Sequence, residues 1–293
     1  MTISAAAIQT QQPDCRKATA HRLGRYAIKS LHAELLLYPK PGLVSPCDGG
    51  AHLDMNAGTF MKSLTTLRHY FVRVAEAGGR PAPFSELRRL GIDAEARMLA
   101  VTNGVNTHRG AIFSLGLLAA AAGYACRDGG HPTASALRGA LGVWQRDPCA
   151  VALSVGTAAS HGSWVARTYG ASGARGEARN AFPSVFERAL PALQDAIARG
   201  ADTRAAQLHA LFILLACVAD TNVLWRGGRE ALTRVQHGAA EFLAAGSVFA
   251  PGWNLRANAL HRQCCALGIS PGGCADLLCA TLFVHEVQSP WAH

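Results

Sequence analysis

The chain has 293 residues, 49% of them hydrophobic and 16% charged, with a mean hydropathy of +0.12. The charged share lies below the about 25% of an average soluble domain, which excludes intrinsic disorder and leaves ample material for a buried core. The net charge of +9 is spread along the chain without a basic tail or block, so it favours small anionic ligands over nucleic acid.

The N-terminus, MTISAAAIQTQQPDCRK, lacks a charged region followed by an apolar core. Residues 1–17 are expected to be a loose segment rather than a signal peptide, and 18–293 a single all-α catalytic domain. Helical periodicity begins with Leu23, Ala27, Leu31, Leu35 and Tyr38. It continues with Phe60, Leu64, Leu67, Phe71 and Val74, then with Leu87, Leu90, Ala94, Met98 and Val101. Segments 110–125 and 206–219 are apolar almost all round, the mark of helices buried on every side. Strand-type alternation is nearly absent. The fold expected is all-α, a compact bundle of roughly ten helices around these two apolar ones.

The longest apolar run, Gly110 to Cys126, falls short of the about 20 residues a bilayer span needs. The nine cysteines contain no CxxC pair, so free and mostly buried thiols in a cytoplasmic protein are expected, with Cys47 a bystander.

Five polar, Gly-rich segments separate the helices: 39–56, 102–110, 169–183, 220–228 and 270–273. Loops on a rigid scaffold commonly carry chemistry. In TNGVNTHRG, Thr107 suits the N-cap, which would put His108, Arg109 and Gly110 in the first helical turn. Free N–H groups there attract anions, and Gly110 would let a phosphate approach closely. A plain capped helix is the alternative. In SPGG, Ser270 suits the N-cap and Pro271 the first helical position. Gly272 and Gly273 then each cost ~1 kcal/mol relative to Ala, which close packing against a ligand or another helix would offset.

Glu34 and Glu95 fall on or beside apolar stripes, where a carboxylate is costly unless paired. Asp220 is read as ending the apolar helix 206–219, at its negative pole, and Asp276 lies about one and a half turns into the last helix. Each either forms an ion pair with Arg109, Arg175 or Arg226, or helps to hold Mg²⁺ beside phosphates. His52 and Asp54 form an His-x-Asp on a loop, without zinc-type spacing elsewhere. P-loop, GxGxxG and GxSxG patterns are absent.

Six segments together, PKPGLV (39–44), GAHLDM (50–55), GVNTHRGAIFSLGLL (104–118), YGASGARGEA (169–178), DTNVLWRGG (220–228) and GISPGGCADLLCATLF (268–283), resemble the triphosphoribosyl-dephospho-coenzyme A synthase family. The LYPKPGLVSP and THRGAIF wording looks most like its malonate decarboxylase branch. Two positions depart from the pattern: Asn103 stands where Gly is expected, and Asn56 where a second Asp often stands.

The resemblance implies an all-α cytoplasmic enzyme that joins ATP to the 2′-hydroxyl of 3′-dephospho-coenzyme A and releases adenine. A downstream transferase and the acyl-carrier subunit of malonate decarboxylase would be partners. Neither nucleic acid nor membrane is expected, and a homodimer stays open. Triphosphate binding would fall to Lys40, Arg109, Arg175, Arg226 and the two helix starts, with His52, Asp54, Asn106, Thr107, Gly110, Asn222, Ser270, Gly272 and Gly273 around them. Glu95 or Glu177 would act as the base or stabilise charge at the ribose carbon, and His108 or His52 would protonate adenine. Asp220 and Asp276 would hold Mg²⁺. The competing readings are a metal-dependent nucleotide phosphohydrolase, which would release phosphate, and a polyanion-binding module without turnover.

Overall fold

The computed structural model describes residues 5–145 and 161–289. They form twelve α-helices, with no strand among the described residues. In order these are α1 (Ala5–Leu36), α2 (Ala57–Gly79), α3 (Phe84–Val101), α4 (Arg109–Ala125), α5 (Ala134–Gln145), α6 (His161–Tyr169) and α7 (Gly173–Arg179). After a π-helical turn (Ser184–Ala189) come α8 (Leu190–Ala198), α9 (Thr203–Cys217), α10 (Thr221–Ala244), a 3₁₀ turn (Ser247–Phe249), α11 (Trp253–Ala266) and α12 (Gly272–Gln288). Of the segment expected to be loose, residues 1–4 lie outside the described residues and the rest begins α1.

Helices α1 and α4 pack on each other and each on α2 and α12, and α9 packs on α8, α10 and α12. The apolar helices α4 and α9 are buried along most of their length, as their composition requires. Small residues set the α2–α4 spacing. A Cβ at Gly78 would fall 2.0 Å from the Ala120 carbonyl oxygen, and one at Gly123 would fall 2.1 Å from that of Ala75. Tyr70 reaches across the gap left by Gly116 and donates its phenol proton to the Ile112 carbonyl at 2.7 Å. On the other side, Phe212 of α9 stacks on Phe242 of α10 at 3.8 Å.

Three stripe residues fall outside their helices' buried faces, Phe60 being half-buried in the first turn of α2. Tyr38 lies beyond the end of α1, and Val101 is exposed at the last residue of α3. No single described helix is long and apolar enough to cross a membrane; α9 and α10 are bent by 59° at their break. Seven cysteines are described, all free: three buried, two half-buried, and Cys47 and Cys217 exposed.

Candidate active site

Three helix starts meet at one place. Asp220 does not end α9, which stops at Cys217; it is the N-cap of α10. Its Oδ1 accepts from the Asn222 and Val223 N–H groups at 2.8 and 3.3 Å, while Oδ2 accepts from Cys274 N–H in the first turn of α12 at 2.8 Å. One carboxylate thus satisfies orphan donors of two helices and sits at two positive poles, the reverse of the dipole clash expected from sequence. Asp220 is 2% exposed, and burial raises its pKa against the lowering effect of those N–H groups.

Gly272 and Gly273 are placed by this arrangement. A Cβ at Gly272 would come 2.8 Å from Asn222 Nδ2, and one at Gly273 would come 3.0 Å from Asp220 Oδ2. The helical cost of both glycines is offset by close packing of α12 on the start of α10. The N-cap of α12 is Pro271, one residue later than expected, and Ser270 makes no cap bond. Instead its hydroxyl lies 2.9 Å from His52 Nε2.

At the start of α4 the same shift occurs. His108 takes the N-cap position, Asn106 Oδ1 accepts the Arg109 N–H at 3.1 Å, and the buried Thr107 Oγ1 has no partner. The group beside Gly110 is a carboxyl of the protein itself: a Cβ there would lie 1.9 Å from Asp276 Oδ2. Burial, with Glu34 and Asp220 nearby, holds the Asp276 carboxyl well above the ordinary carboxylate range, although the Ala111 N–H opposes this. A carboxyl so placed can hold or pass a proton.

Beneath Asp276 lies a buried ion pair. Lys40 Nζ donates to both the carboxylate and the backbone carbonyl of Glu34, each at 2.6 Å, with Lys40 1% exposed. The expected triphosphate ligand is therefore fastened to α1. His108 is buried beside it, with Nδ1 2.6 Å from Ser63 Oγ and the ring edge-on to Phe60. Burial, reinforced by the Lys40 charge, pushes its pKa down to about 3, so its imidazole is neutral at pH 7.

A third group ties the loops together. Arg226 Nη1 donates to the Ala51 and Gly268 carbonyls at 3.4 and 3.1 Å, and Nη2 donates to His52 Nδ1 at 3.2 Å. That bond leaves the His52 proton on Nε2, directed to Ser270. Burial first and Arg226 second lower the His52 pKa, and Asp54 Oδ1 lies 3.5 Å from the ring. Arg226 therefore joins loop 50–54 to the approach of α12 while keeping part of its fork free for an anion.

The remaining candidates stand apart. Glu95 pairs with Arg109 at the rim of α4, the ion-pair outcome foreseen for it. Glu177 accepts from the Ser184 N–H and hydroxyl at 3.2 and 2.6 Å, and Arg175 is exposed on α7. Gly173, at the start of α7, packs against Thr221 and so sets this helix beside Asp220. Both Asp220 and Asp276 answer to backbone N–H groups rather than to arginines. Among the described residues no three His, Cys, Asp or Glu side chains gather as a metal set. Three of the Asp220 lone pairs are taken by backbone N–H groups.

One residue escaped sequence reasoning. His261 on α11 is 3% exposed; its Nδ1 lies 2.5 Å from the Lys40 carbonyl and its Nε2 3.1 Å from Asp48 Oδ2, pinning both ends of the 39–48 loop. A lone histidine in a helical stretch gives no local signal of this. The two departures are explained by backbone geometry. Asn103 has φ +54, a left-handed conformation Asn tolerates almost as Gly does, and Asn56 caps α2 through a capping box with Thr59, as Asp would.

Asp220 and Asp276 thus bring the starts of α4, α10 and α12, and with them the Gly-rich segments 102–110, 220–228 and 270–273, to one place. The chain belongs to the ATP:dephospho-CoA triphosphoribosyl transferase family, whose profile matches residues 20–293. It is 41% identical over 285 residues to a probable 2-(5″-triphosphoribosyl)-3′-dephosphocoenzyme-A synthase of Pseudomonas syringae pv. tomato, covering 96% of this chain and 95% of that one. A protein of the same name in Stutzerimonas stutzeri is 41% identical, covering 92% and 93%, and one in Acinetobacter calcoaceticus 37% identical, covering 92% of each chain. No solved structure matches.

Proposed function

We propose that this protein transfers the 5-triphosphoribosyl group of ATP to the 2′-hydroxyl of 3′-dephospho-coenzyme A, releasing adenine. The observation that carries the reading is the meeting of the α4, α10 and α12 starts around Asp220 and Asp276, in a chain matched to the transferase family from residue 20 to 293. The new C1′–O bond forms as the C1′–N9 bond breaks, and the anomeric carbon inverts from β to α through an oxocarbenium-like state, by analogy with inverting glycosidases. The hydroxyl proton passes to a carboxylate and adenine leaves with a proton on its ring.

Asp276 suits the proton-holding role better than His108, which burial keeps neutral. Glu95 and Glu177 remain the carboxylates nearer the rim, where an incoming hydroxyl would arrive. Arg226, Arg109 and Arg175 supply the exposed cations for the triphosphate. Mg²⁺ arriving with ATP would be held by phosphate and water oxygens and by Asp220, and would neutralise triphosphate charge, with Asp276 kept for the proton.

The product is the precursor of a prosthetic group. The LYPKPGLVSP and THRGAIF wording supports malonate decarboxylase as the destination, through a transferase and an acyl-carrier subunit. Adding purified protein to a malonate decarboxylase whose carrier lacks the group, with that transferase present, is expected to restore its activity; failure alongside restoration of citrate lyase would assign the other branch.

A further inference from the structure

Outside the carboxyl cluster, α10 and α6 build an aromatic corner. Trp225 and Trp164 meet edge-to-face with centroids 5.2 Å apart and planes at 86°, and Trp164 meets Tyr169 at 5.8 Å. The two indoles remain 41% and 42% exposed, a large apolar payload to leave in contact with water. The corner is built at a conformational cost. Within α10, Gly228 takes φ +67 and ψ −161, and a Cβ there would lie 3.3 Å from Tyr169 Oη. A cation flanks it: the Arg229 guanidinium lies over the Tyr169 ring at 5.5 Å.

We infer that this corner is the stacking site for an adenine ring of the nucleotide substrates. Two planes at a right angle accept a flat heteroaromatic ring face-on to one indole and edge-on to the other. Arg229 is the cation placed to meet a phosphate of the nucleotide stacked there. Trp225 lies five residues beyond Asp220, an axial rise of about 7–8 Å along the helix, so a base held here keeps its ribose within reach of the helix starts. The identity of the ring rests on the transferase reading, in which both substrates carry adenine.

The test is calorimetric titration of the full-length protein with ATP and, separately, with 3′-dephospho-coenzyme A, so that no transfer takes place. Trp164→Leu and Trp225→Leu are expected to raise the Kd of one nucleotide about tenfold or more, and the nucleotide affected identifies the occupant. Trp→Phe variants, which keep a stacking face, are expected to recover affinity to within about threefold of wild type. In the wild type, the bound occupant is expected to shield indole emission from acrylamide. Unchanged Kd for both nucleotides in folded Leu variants, or unshielded emission with both, overturns the inference. These Kd shifts in the variants, together with a wild-type protein that releases no adenine from the two substrates combined, overturn the transferase reading and leave the stacking site standing.

Discussion

Asp276 Oδ2 fills the space a side chain would need at Gly110, 1.9 Å from the position of an ideal Cβ. The two residues lock α12 to the start of α4, and each explains the other: the glycine admits the carboxyl, and the carboxyl occupies the helix pole.

Gly110→Ala is therefore expected to push Asp276 out of place. Overpacking of this kind costs about 1–3 kcal/mol, seen as a lower Tm, and turnover is expected to fall at least about a hundredfold because a proton-handling group is displaced. Denaturation together with single-turnover adenine release checks both; unchanged turnover in a destabilised variant would remove Asp276 from the chemistry.

Asp220→Ala removes acceptors from two helix starts at once. Each lost cap is worth about 0.5–2 kcal/mol, so urea denaturation is expected to show a loss near the sum, with Asp220→Asn losing less because one oxygen remains. A loss no greater than that of a single surface cap would contradict the double-cap geometry.

Lys40 and Glu34 form an ion pair with 1% and 6% of their side chains exposed. Removing either partner alone, as in Lys40→Met or Glu34→Gln, is expected to cost about 3–5 kcal/mol because a buried charge or its fixed partner is stranded. The double variant is expected to recover most of that loss in a double-mutant cycle. Additive losses would show that the pair does not act as a unit.

The pH dependence has two opposed parts. His108 has a folded pKa of about 3 against an unfolded value near ~6.5. Its contribution is present above the unfolded value and is lost as pH falls through the interval toward 3, at a slope of at most about 1.4 kcal/mol per pH unit. Asp276 and Asp220 have raised folded pKa values, so their contribution is present below the unfolded carboxylate range and is lost as pH rises toward the folded value. Asp276→Asn is thus expected to gain stability relative to wild type as pH rises from 4 to 8. His108→Asn is expected to flatten the acid limb. Parallel pH–stability curves for wild type and variants would contradict both assignments.

Much of the fold was legible in periodicity and burial pattern. The apolar α4 and α9 and the stripes of α1 to α3 follow from spacing alone, because side-chain burial repeats every turn. Helix ends were less legible: both starts near Thr107 and Ser270 lie one residue later than their N-cap signals, since Asn106 and Asp220 supply the acceptors from elsewhere. The segments that form the site were visible as Gly-rich breaks, yet the partners within them were not. Asp220 reads as a misplaced acid until α12 is known to cross its helix start, and His261 gives no sign that it holds the 39–48 loop. Contacts between distant segments leave no trace in local pattern.

The most direct measurement incubates the protein with ATP, Mg²⁺ and 3′-dephospho-coenzyme A and follows bases, phosphates and adducts by chromatography and mass spectrometry. The account predicts free adenine, and an adduct carrying the intact triphosphoribosyl group, only when both substrates are present. Phosphate or pyrophosphate released from ATP without adenine would contradict it and make the protein a nucleotide phosphohydrolase.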